Sequence, residues 1–251
     1  MVKIIWLKCI TKCFFAILSL KEILIPFFFF IAALDKAISL CVEGADVSAI
    51  CGEVDTMIEA ELLKVFSNKK SKKLERGIGF PCCISINETM GHCSPAAGED
   101  SFKLANEQVV KIELGAHIDG YCSIAAHTIV VGGKSNGKQA DVVLACYNAF
   151  LAATRTIAVG ATNQDVTAVI AQVCEAYGVE PVQGVLSHKT KKHLIDGNEV
   201  IINKETPEQR VEDWEFAPGD VISLDVFGTT GEGMGKEAEA RTMVFKREMD
   251  V

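Results

Sequence analysis

Apolar and polar positions alternate most clearly in two neighbouring segments near the middle of the chain. Residues 109–114 place Lys111 and Glu113 between apolar neighbours, and residues 121–131 form a second apolar run. The stretch between these segments carries turn chemistry, so the pattern predicts two β-strands joined by a short polar connection. The polar residues of this hairpin are either structural or the remains of a metal site; they are Glu113, His117, Asp119 and His127.

Helical periodicity dominates other parts of the chain. Apolar residues recur at intervals of three or four from Val47 onward, which predicts a helix over Val47 to Lys64. Further helices are predicted over residues 35–43 and 140–156. A last helix is predicted up to Tyr177, with Asp165 placed to cap its beginning.

Strand patterns occupy much of the remaining sequence. Besides the hairpin, whose first strand is predicted over 108–114, strands are predicted over residues 79–86, 181–188, 200–203, 220–227 and 242–246. Residues 205–217 are polar and acidic, which indicates a loop. Helices packed outside two curved antiparallel sheets predict the α+β fold class.

Length, charge and cysteine usage restrict the class of protein to which this chain can belong. A chain of 251 residues suffices for one domain, or one large two-lobed domain, with a substantial core. The net charge of −8 argues against a protein that coats nucleic acid generally, although a local basic patch remains open. The ten cysteines are scattered and include no Cys-x-x-Cys pair. This pattern favours buried free thiols in a reducing compartment over a zinc site or a disulfide framework.

The N-terminal segment, residues 1–34, differs from the rest of the chain in composition. Its first apolar run is broken by Lys8 and Lys12, and its second run has only twelve residues without charge. Because a membrane-spanning helix needs about twenty apolar residues, a transmembrane helix is not predicted. The alternatives are a signal peptide or uncleaved anchor and a segment of non-native origin, of which the second is the favoured interpretation.

Two basic runs, residues 69–76 and 188–197, contrast with the acidic character of the whole chain. Each is explained either by a solvated surface or by contact with RNA. The candidate RNA-contact residues are Lys69, Lys70, Lys72, Lys73, Arg76, Lys189, Lys191 and Lys192. A separate Gly-Lys-Ser at residues 133–135 lacks the leading glycine of a phosphate loop, so it predicts a turn and no nucleotide partner.

Several motifs resemble one protein family in their order and spacing. Those similar to type II methionine aminopeptidases are Gly77-Ile-Gly-Phe-Pro81, Ser85-Ile-Asn-Glu-Thr-Met-Gly-His92, Ser94-Pro95, Val110-Lys-Ile-Glu-Leu-Gly115 and His117-Ile-Asp-Gly120. A non-catalytic branch, the proliferation-associated, ErbB-receptor-binding proteins, is more similar still. The motifs that indicate this branch are Gly184-Val-Leu-Ser-His188, Lys192-His-Leu-Ile-Asp-Gly197 and Arg241-Thr-Met-Val-Phe-Lys-Arg247. The resemblance extends over residues 33–248 and implies the pita-bread fold, built from two similar halves.

The resemblance also implies where a two-metal site would lie. The catalytic relatives use Asp, Asp, His, Glu and Glu as ligands, and the last Glu falls in a segment that this chain does not contain. The matching positions here are Glu113, Ile124, His188 and Asp225. Ile124 offers no donor atom where the relatives have a bridging carboxylate, so neither a metal nor another cofactor is expected. His92 matches a substrate-contacting histidine, although all five histidines can equally be ordinary structural ones.

The function implied by the resemblance is binding rather than catalysis. The expected partners are the ribosome or RNA, and proteins of growth and translation control. The expected location is the cytoplasm, with the nucleus or nucleolus as a further location. The alternatives are a working metal-dependent aminopeptidase and a protein tethered to a membrane through residues 1–34. Because the relatives are longer, the domain formed by residues 35–251 is expected to lack part of its second half.

Overall fold

One antiparallel sheet forms the centre of the molecule. The computed structural model describes residues 31–65, 74–237 and 239–246, and the backbone alone of residues 4–12. The strands are β1 (Ile4–Lys12), β2 (Arg76–Ile86), β3 (Val109–Ile118), β4 (Tyr121–Val130), β5 (Glu180–Pro181), β6 (Leu186–Lys189), β7 (Val200–Ile202) and β8 (Val221–Thr229). Their order in the sheet is β2-β3-β4-β1-β8-β6-β7, and β5 pairs with β8.

The described helices all pack on one face of this sheet. They are α1 (residues 31–40), α2 (Val47–Lys64), α3 (Gly137–Thr156) and α4 (Asn163–Ala176). Asp46 begins α2 by accepting a hydrogen bond from the Ala49 N–H. A capping box begins α4, in which the Thr162 side chain accepts from the Asp165 N–H and the Asp165 carboxylate accepts from the Thr162 N–H.

Strand alternation sends one set of side chains to the helices and the other set to the opposite face. On β8, Ile222, Leu224 and Val226 pack with α3 and α4 in one apolar cluster. On β3, Val110, Ile112 and Leu114 pack with α1 and α2 in another. Residues at the intervening positions, including Glu113 and Ser223, therefore lie on the face away from the helices.

The predicted helices agree well with the observed ones. The predicted bounds of α2 match its observed bounds, and five of its buried residues were among the periodic apolar positions. The α+β class is correct. The cap of α4 was predicted imperfectly, because Thr162 is the N-cap residue and Asp165 is the third residue of the helix.

The predicted sheets need four corrections. The chain forms one continuous sheet instead of two. The β3–β4 connection is a two-residue turn at Asp119 and Gly120, because β3 extends to Ile118. The predicted strand over 181–188 is divided into β5 and β6. Residues 242–246 form no strand, and residues 244–246 line a pocket described below.

The N-terminal segment contributes an element that was not predicted. Its residues Ile4–Lys12 form β1, which pairs with β8 along nine residues and with β4 at Lys8. The alternative of a signal peptide or anchor concerns residues 1–34, of which residues 1–3 and 13–30 lie outside the described residues. Within the part of the chain that is described, none of the helices has both the length and the apolar character needed to cross a membrane.

Side-chain amides close the short-stranded end of the sheet. Asn163 donates to the carbonyls of Val200 and Glu212 and accepts from the Trp214 N–H. Asn203 donates to the carbonyls of Val182 and Phe227 and accepts from the Phe227 N–H. Because both amides are almost fully buried, these bonds replace ladder bonds that strands of two to four residues cannot supply.

The described cysteines agree with the expectation of free thiols. Eight are resolved as free, and all except Cys122 are buried. Burial raises the pKa of the Cys41 thiol to about 12, so this thiol is protonated and unreactive at neutral pH.

Candidate functional site

A pocket of about 740 Å³ opens on the face of the sheet away from the helices. Three strands form its floor through Ile124 of β4, His188 of β6, and Ser223 and Asp225 of β8. Its walls come from residues 78–81 of β2, residues 90–92, residues 195–196 and residues 244–246. The lining is mainly apolar with a few polar groups, as is usual for a ligand-binding pocket.

The polar side chains of the floor are held by the β6–β8 pairing. His188 lies opposite Ser223 in the register. The Ser187 hydroxyl bonds to both the N–H and the carbonyl of Asp225, which fixes the backbone of β8 beside β6. The Nδ1 atom of His188 lies 3.3 Å from the Gly197 carbonyl. These contacts orient the floor without using the Asp225 carboxylate.

A turn after β2 shapes one wall of the pocket. Asn87, which has a positive φ of 49°, exchanges hydrogen bonds with Val109 through its backbone and its side chain. The buried Lys111 ammonium group donates to the Asn87 carbonyl at 2.8 Å. The same turn leads to His92, whose ring lies 5.4 Å from the Phe80 ring at an interplanar angle of 55°.

The structure brings together four of the five positions that the resemblance singled out. His92, Ile124, His188 and Asp225 all line the pocket. Glu113 does not line it; this residue is fully buried on the same face, opposite Cys83 and Ala126. Burial, followed by the nearby Glu113 carboxylate, raises the pKa of the Cys83 thiol.

The donor set does not fit the two-metal centre of the catalytic relatives. Ile124 places an aliphatic side chain in the pocket where a bridging carboxylate would be needed. Among the residues that the structure describes, no group of three or more His, Cys, Asp and Glu side chains is arranged to hold a metal ion. We therefore assign no chemistry to a metal in this pocket.

Glu75, near the end of the first basic run, and Lys192 and His193 of the second all contact the β3–β4 turn. The Asp119 N–H donates to the Glu75 carbonyl, which lies next to Arg76 at the start of β2. From the other side, the His193 N–H donates to the Gly120 carbonyl, and the Lys192 ammonium pairs with the Asp119 carboxylate at 2.5 Å. We call this part of the molecule, the turn with residues 75–76 and 191–193, the basic edge.

Gly120 is required at this turn by a close contact. It has a positive φ of 80°, and a Cβ atom there would lie 2.3 Å from the Nδ1 atom of His193. The His193 segment is therefore packed directly against the tip of the hairpin. Burial lowers the pKa of the neighbouring His117, so this histidine is less readily protonated.

The candidate RNA-contact residues differ in what they contact. Lys189 is 13% exposed and pairs with Glu199 and Asp220, each at 2.9 Å. Arg76 donates to the Leu62 and Val65 carbonyls at the end of α2. Both contacts are structural. Lys191 and Lys192 are exposed, whereas Lys69, Lys70, Lys72 and Lys73 lie outside the described residues.

Sequence reasoning missed Tyr121 and Ser223, and it considered Asp119 only as a structural or metal-site residue. Asp119 and Tyr121 both interact with Lys192, whose Nζ atom lies 5.6 Å from the centre of the Tyr121 ring. Ser223 lines the pocket floor and was not singled out. Its position on β8, two residues before Asp225, was the available signal, because residues two apart on a strand point to the same face.

Comparison with known proteins places this arrangement among the aminopeptidase folds. Residues 31–245 match the model of metallopeptidase family M24. The proliferation-associated protein A of Dictyostelium discoideum is 43% identical over 87% of this chain and 57% of the relative. The ERBB-3 binding protein 1 of Arabidopsis thaliana is 39% identical over 87% of this chain and 56% of the relative. The chain thus spans little more than half the length of these relatives.

Methionine aminopeptidases are also similar, at lower identity. The enzyme of Thermococcus onnurineus is 30% identical over 61% of this chain and 50% of the relative. Among solved structures, a thermophilic Arx1 superposes with a TM-score of 0.79 at 26% identity, covering 91% of this chain and 68% of that one. The methionine aminopeptidase of Thermotoga maritima shares the fold with a TM-score of 0.63 at 17% identity, covering 87% and 93%.

These matches confirm the predicted pita-bread fold and the predicted resemblance to the proliferation-associated and ErbB-3-binding proteins. The chain belongs to metallopeptidase family M24.

Proposed function

We propose that this protein is a non-catalytic member of its family that binds RNA, free or within the ribosome, through the basic edge. The observation that carries the proposal is that residues from the end of one basic run and from the other run, more than 100 residues apart in sequence, contact one turn. Sequence alone left open whether these runs share a surface. The contacts of Glu75 with Asp119, and of Lys192 and His193 with Asp119 and Gly120, support a shared surface.

The charge on this edge is suited to a phosphate backbone. Lys191 and Lys192 are exposed there, and Lys69–Lys73 precede the edge directly in the sequence. The Lys192–Asp119 pair is solvent-accessible, so exchanging the carboxylate for a phosphate costs little. We do not propose Lys189 or Arg76 as phosphate contacts, because protein groups already hold their charged ends.

The names of relatives support a binding role of this kind. One relative is named for binding ErbB-3, a protein partner. Another, from Schizosaccharomyces pombe, is named a curved DNA-binding protein and is 36% identical over 84% of this chain and 56% of the relative. A protein partner and a nucleic acid partner are therefore both represented among similar proteins, and the basic edge favours the nucleic acid for this surface.

The proposal is tested by titrating a fluorescent single-stranded RNA with the full chain and its variants. Lys191→Glu reverses a charge at the basic edge, and Lys73→Glu, combined with it, reverses a charge in the run that directly precedes residues 75–76 in the sequence. Because each lost phosphate contact removes about 0.7 from the salt dependence, the slope of log K against log salt should fall by that amount per contact. Affinity at low salt should fall together with the slope.

A matched control reverses two charges elsewhere. Lys134→Glu with Lys138→Glu makes the same change in net charge at exposed positions beyond the opposite end of β4. This variant should keep most of the affinity. Equal losses in both double variants would mean that the edge has no special role, and would contradict the proposal.

The non-catalytic part of the proposal has its own assay. The floor of the pocket carries Ile124, and Asp225 is one methylene shorter than the Glu of the catalytic relatives, so hydrolysis of methionyl peptides should not exceed the buffer rate. The assay is run with added Co²⁺ or Mn²⁺. Robust turnover would support the alternative, a metal-dependent aminopeptidase.

A further inference from the structure

We infer that the pocket accepts one unstacked nucleobase of an RNA strand whose phosphates lie on the basic edge. This inference rests on the proposed function, since it requires the strand to be bound at the edge. It adds a second site of a different chemical class, which recognises the base and not the charge.

The first argument is continuity between the edge and the pocket. Two segments build both features. In β2, Arg76 lies at the edge and residues 78–81 line the pocket. In the second segment, Lys192 and His193 lie at the edge, and Ile195 and Asp196 line the pocket. In each segment the edge residues and the nearest pocket residues are two to four positions apart. At no more than about 3.5 Å per residue, this separation is comparable to the distance from a phosphate to its base.

The second argument is the shape and lining of the pocket. A volume of about 740 Å³ accommodates a nucleoside. Phe80 and His92 present two rings on one wall, and Phe227 adds a third at the floor. Proteins that read single-stranded RNA stack unpaired bases on such rings, and every base offers a face for stacking.

The third argument is a buried hydroxyl without a partner. Ser223 is 2% exposed, and among the described residues its Oγ atom has no hydrogen-bond partner. Leaving such a group unbonded costs stability, so a ligand that bonds to it gains affinity. The edge of a nucleobase carries both donors and acceptors and suits a hydroxyl that can act as either.

The pocket entrance distinguishes this ligand from an apolar peptide side chain. Lys246 is exposed, lines the pocket and pairs with Asp196 at 2.5 Å, which puts another cation beside the pocket. An apolar side chain would gain nothing from this cation or from the neighbouring basic edge. A nucleotide would use both.

The test compares two oligonucleotides of equal length and charge with the full chain. One is a single-stranded RNA with 2-aminopurine at its centre, and the other has an abasic sugar at that position. Because stacking on an aromatic ring contributes about tenfold or more per base, the intact strand should bind about tenfold more tightly. Its 2-aminopurine fluorescence should also change on binding, and a nucleoside monophosphate in excess should reverse that change.

Two variants locate the effect in the pocket. Ser223→Ala removes only the unbonded hydroxyl, and His92→Ala removes one ring. Each should reduce the ratio of intact to abasic affinity while the abasic strand binds as before. The controls, Ser135→Ala and His127→Ala, change the same residue types at exposed positions away from the pocket and should leave the ratio unchanged.

The outcomes separate this inference from the proposed function. Equal affinity for the intact and abasic strands, with the loss caused by Lys73→Glu and Lys191→Glu retained, overturns the base-binding pocket and leaves the RNA-binding edge. Binding of neither strand overturns both. Reversal of the fluorescence change by an apolar tripeptide but not by a nucleoside monophosphate overturns the inference in favour of a peptide-binding pocket.

Discussion

The two halves of the molecule treat buried polar groups differently. In the first half, β2, β3 and β4 are ten or eleven residues long, and the buried polar groups include the charged side chains Lys111 and Glu113. In the second half, β5, β6 and β7 are two to four residues long, and the buried groups include the neutral amides of Asn163 and Asn203.

This difference separates buried polar groups that stabilise the fold from a buried charged group that destabilises it. The amides of the second half are bonded to backbone groups on several sides and take the place of missing strand pairing. The buried lysine of the first half holds a turn of the pocket wall, although burial disfavours its charge. Replacing a buried amide of the second half and replacing the buried lysine of the first half should therefore change stability in opposite directions.

The largest expected effect is that of Asn203→Ala in the second half. This change leaves the carbonyls of Val182 and Phe227 and the Phe227 N–H without their bonds to the amide. The free energy of unfolding should fall by about 3–4 kcal/mol, measured by urea denaturation. Asn198→Ala, at an exposed position in the same half, is the control and should change it by less than about 0.5 kcal/mol.

An equal loss of stability in Asn203→Ala and Asn198→Ala would contradict the stabilising role that we assign to the buried amides of the second half. It would mean that the buried amide is not what holds the short strands together.

The next effect has the opposite sign and belongs to the first half. Burial lowers the pKa of Lys111 from 10.5 to about 7, while the nearby Glu88 and Cys93 partly offset this shift. Between these two pH values the unfolded chain binds more protons at this lysine than the folded chain does. The free energy of unfolding should therefore rise with pH across that window.

Lys111→Met should remove this rise. Below pH 7 the variant should be more stable than the parent by on the order of 2 kcal/mol, and the advantage should shrink as the pH approaches 10. Urea denaturation at several pH values measures both curves. Lys103→Met, at an exposed position, should leave the pH dependence of the parent unchanged; a loss of stability in Lys111→Met at every pH would show that the bond to Asn87 outweighs the cost of burial.

The smallest expected effect concerns the start of α4. Thr162→Ala removes the side chain that caps this helix, and the free energy of unfolding should fall by about 1 kcal/mol. Thr162→Ser keeps the hydroxyl and should restore most of the loss. If serine were no better than alanine, the capping box would contribute little to the second half.

Local patterns were enough to predict the elements whose stability is local. The apolar spacing from Val47 to Leu62 predicted α2, because the same residues form its buried face. The sequence could not predict β1, because its apolar and charged residues lack a clear alternation and its partners β4 and β8 are more than 100 residues away. Residues 242–246 alternate like a strand but form no ladder in the described structure.

The candidate site was predictable only in part, for a similar reason. Resemblance singled out His92, Ile124, His188 and Asp225, and the fold brings all four to one pocket. The contacts of Glu75 and His193 with one turn depend on where the β3–β4 turn lies relative to both segments. That position is a property of the tertiary structure, which composition and motif spacing do not predict.

The tight packing of His193 on Gly120 has a thermodynamic consequence. Residues 191–196 belong both to the edge and to the pocket wall, and the contact at Gly120 ties them to the hairpin. A ligand that shifts this segment at the edge would also change the pocket wall, and the reverse holds as well. Binding at the edge and binding in the pocket would therefore be linked by one coupling free energy. Linkage makes such coupling reciprocal: whatever factor a filled pocket applies to phosphate affinity, a bound phosphate applies to the pocket.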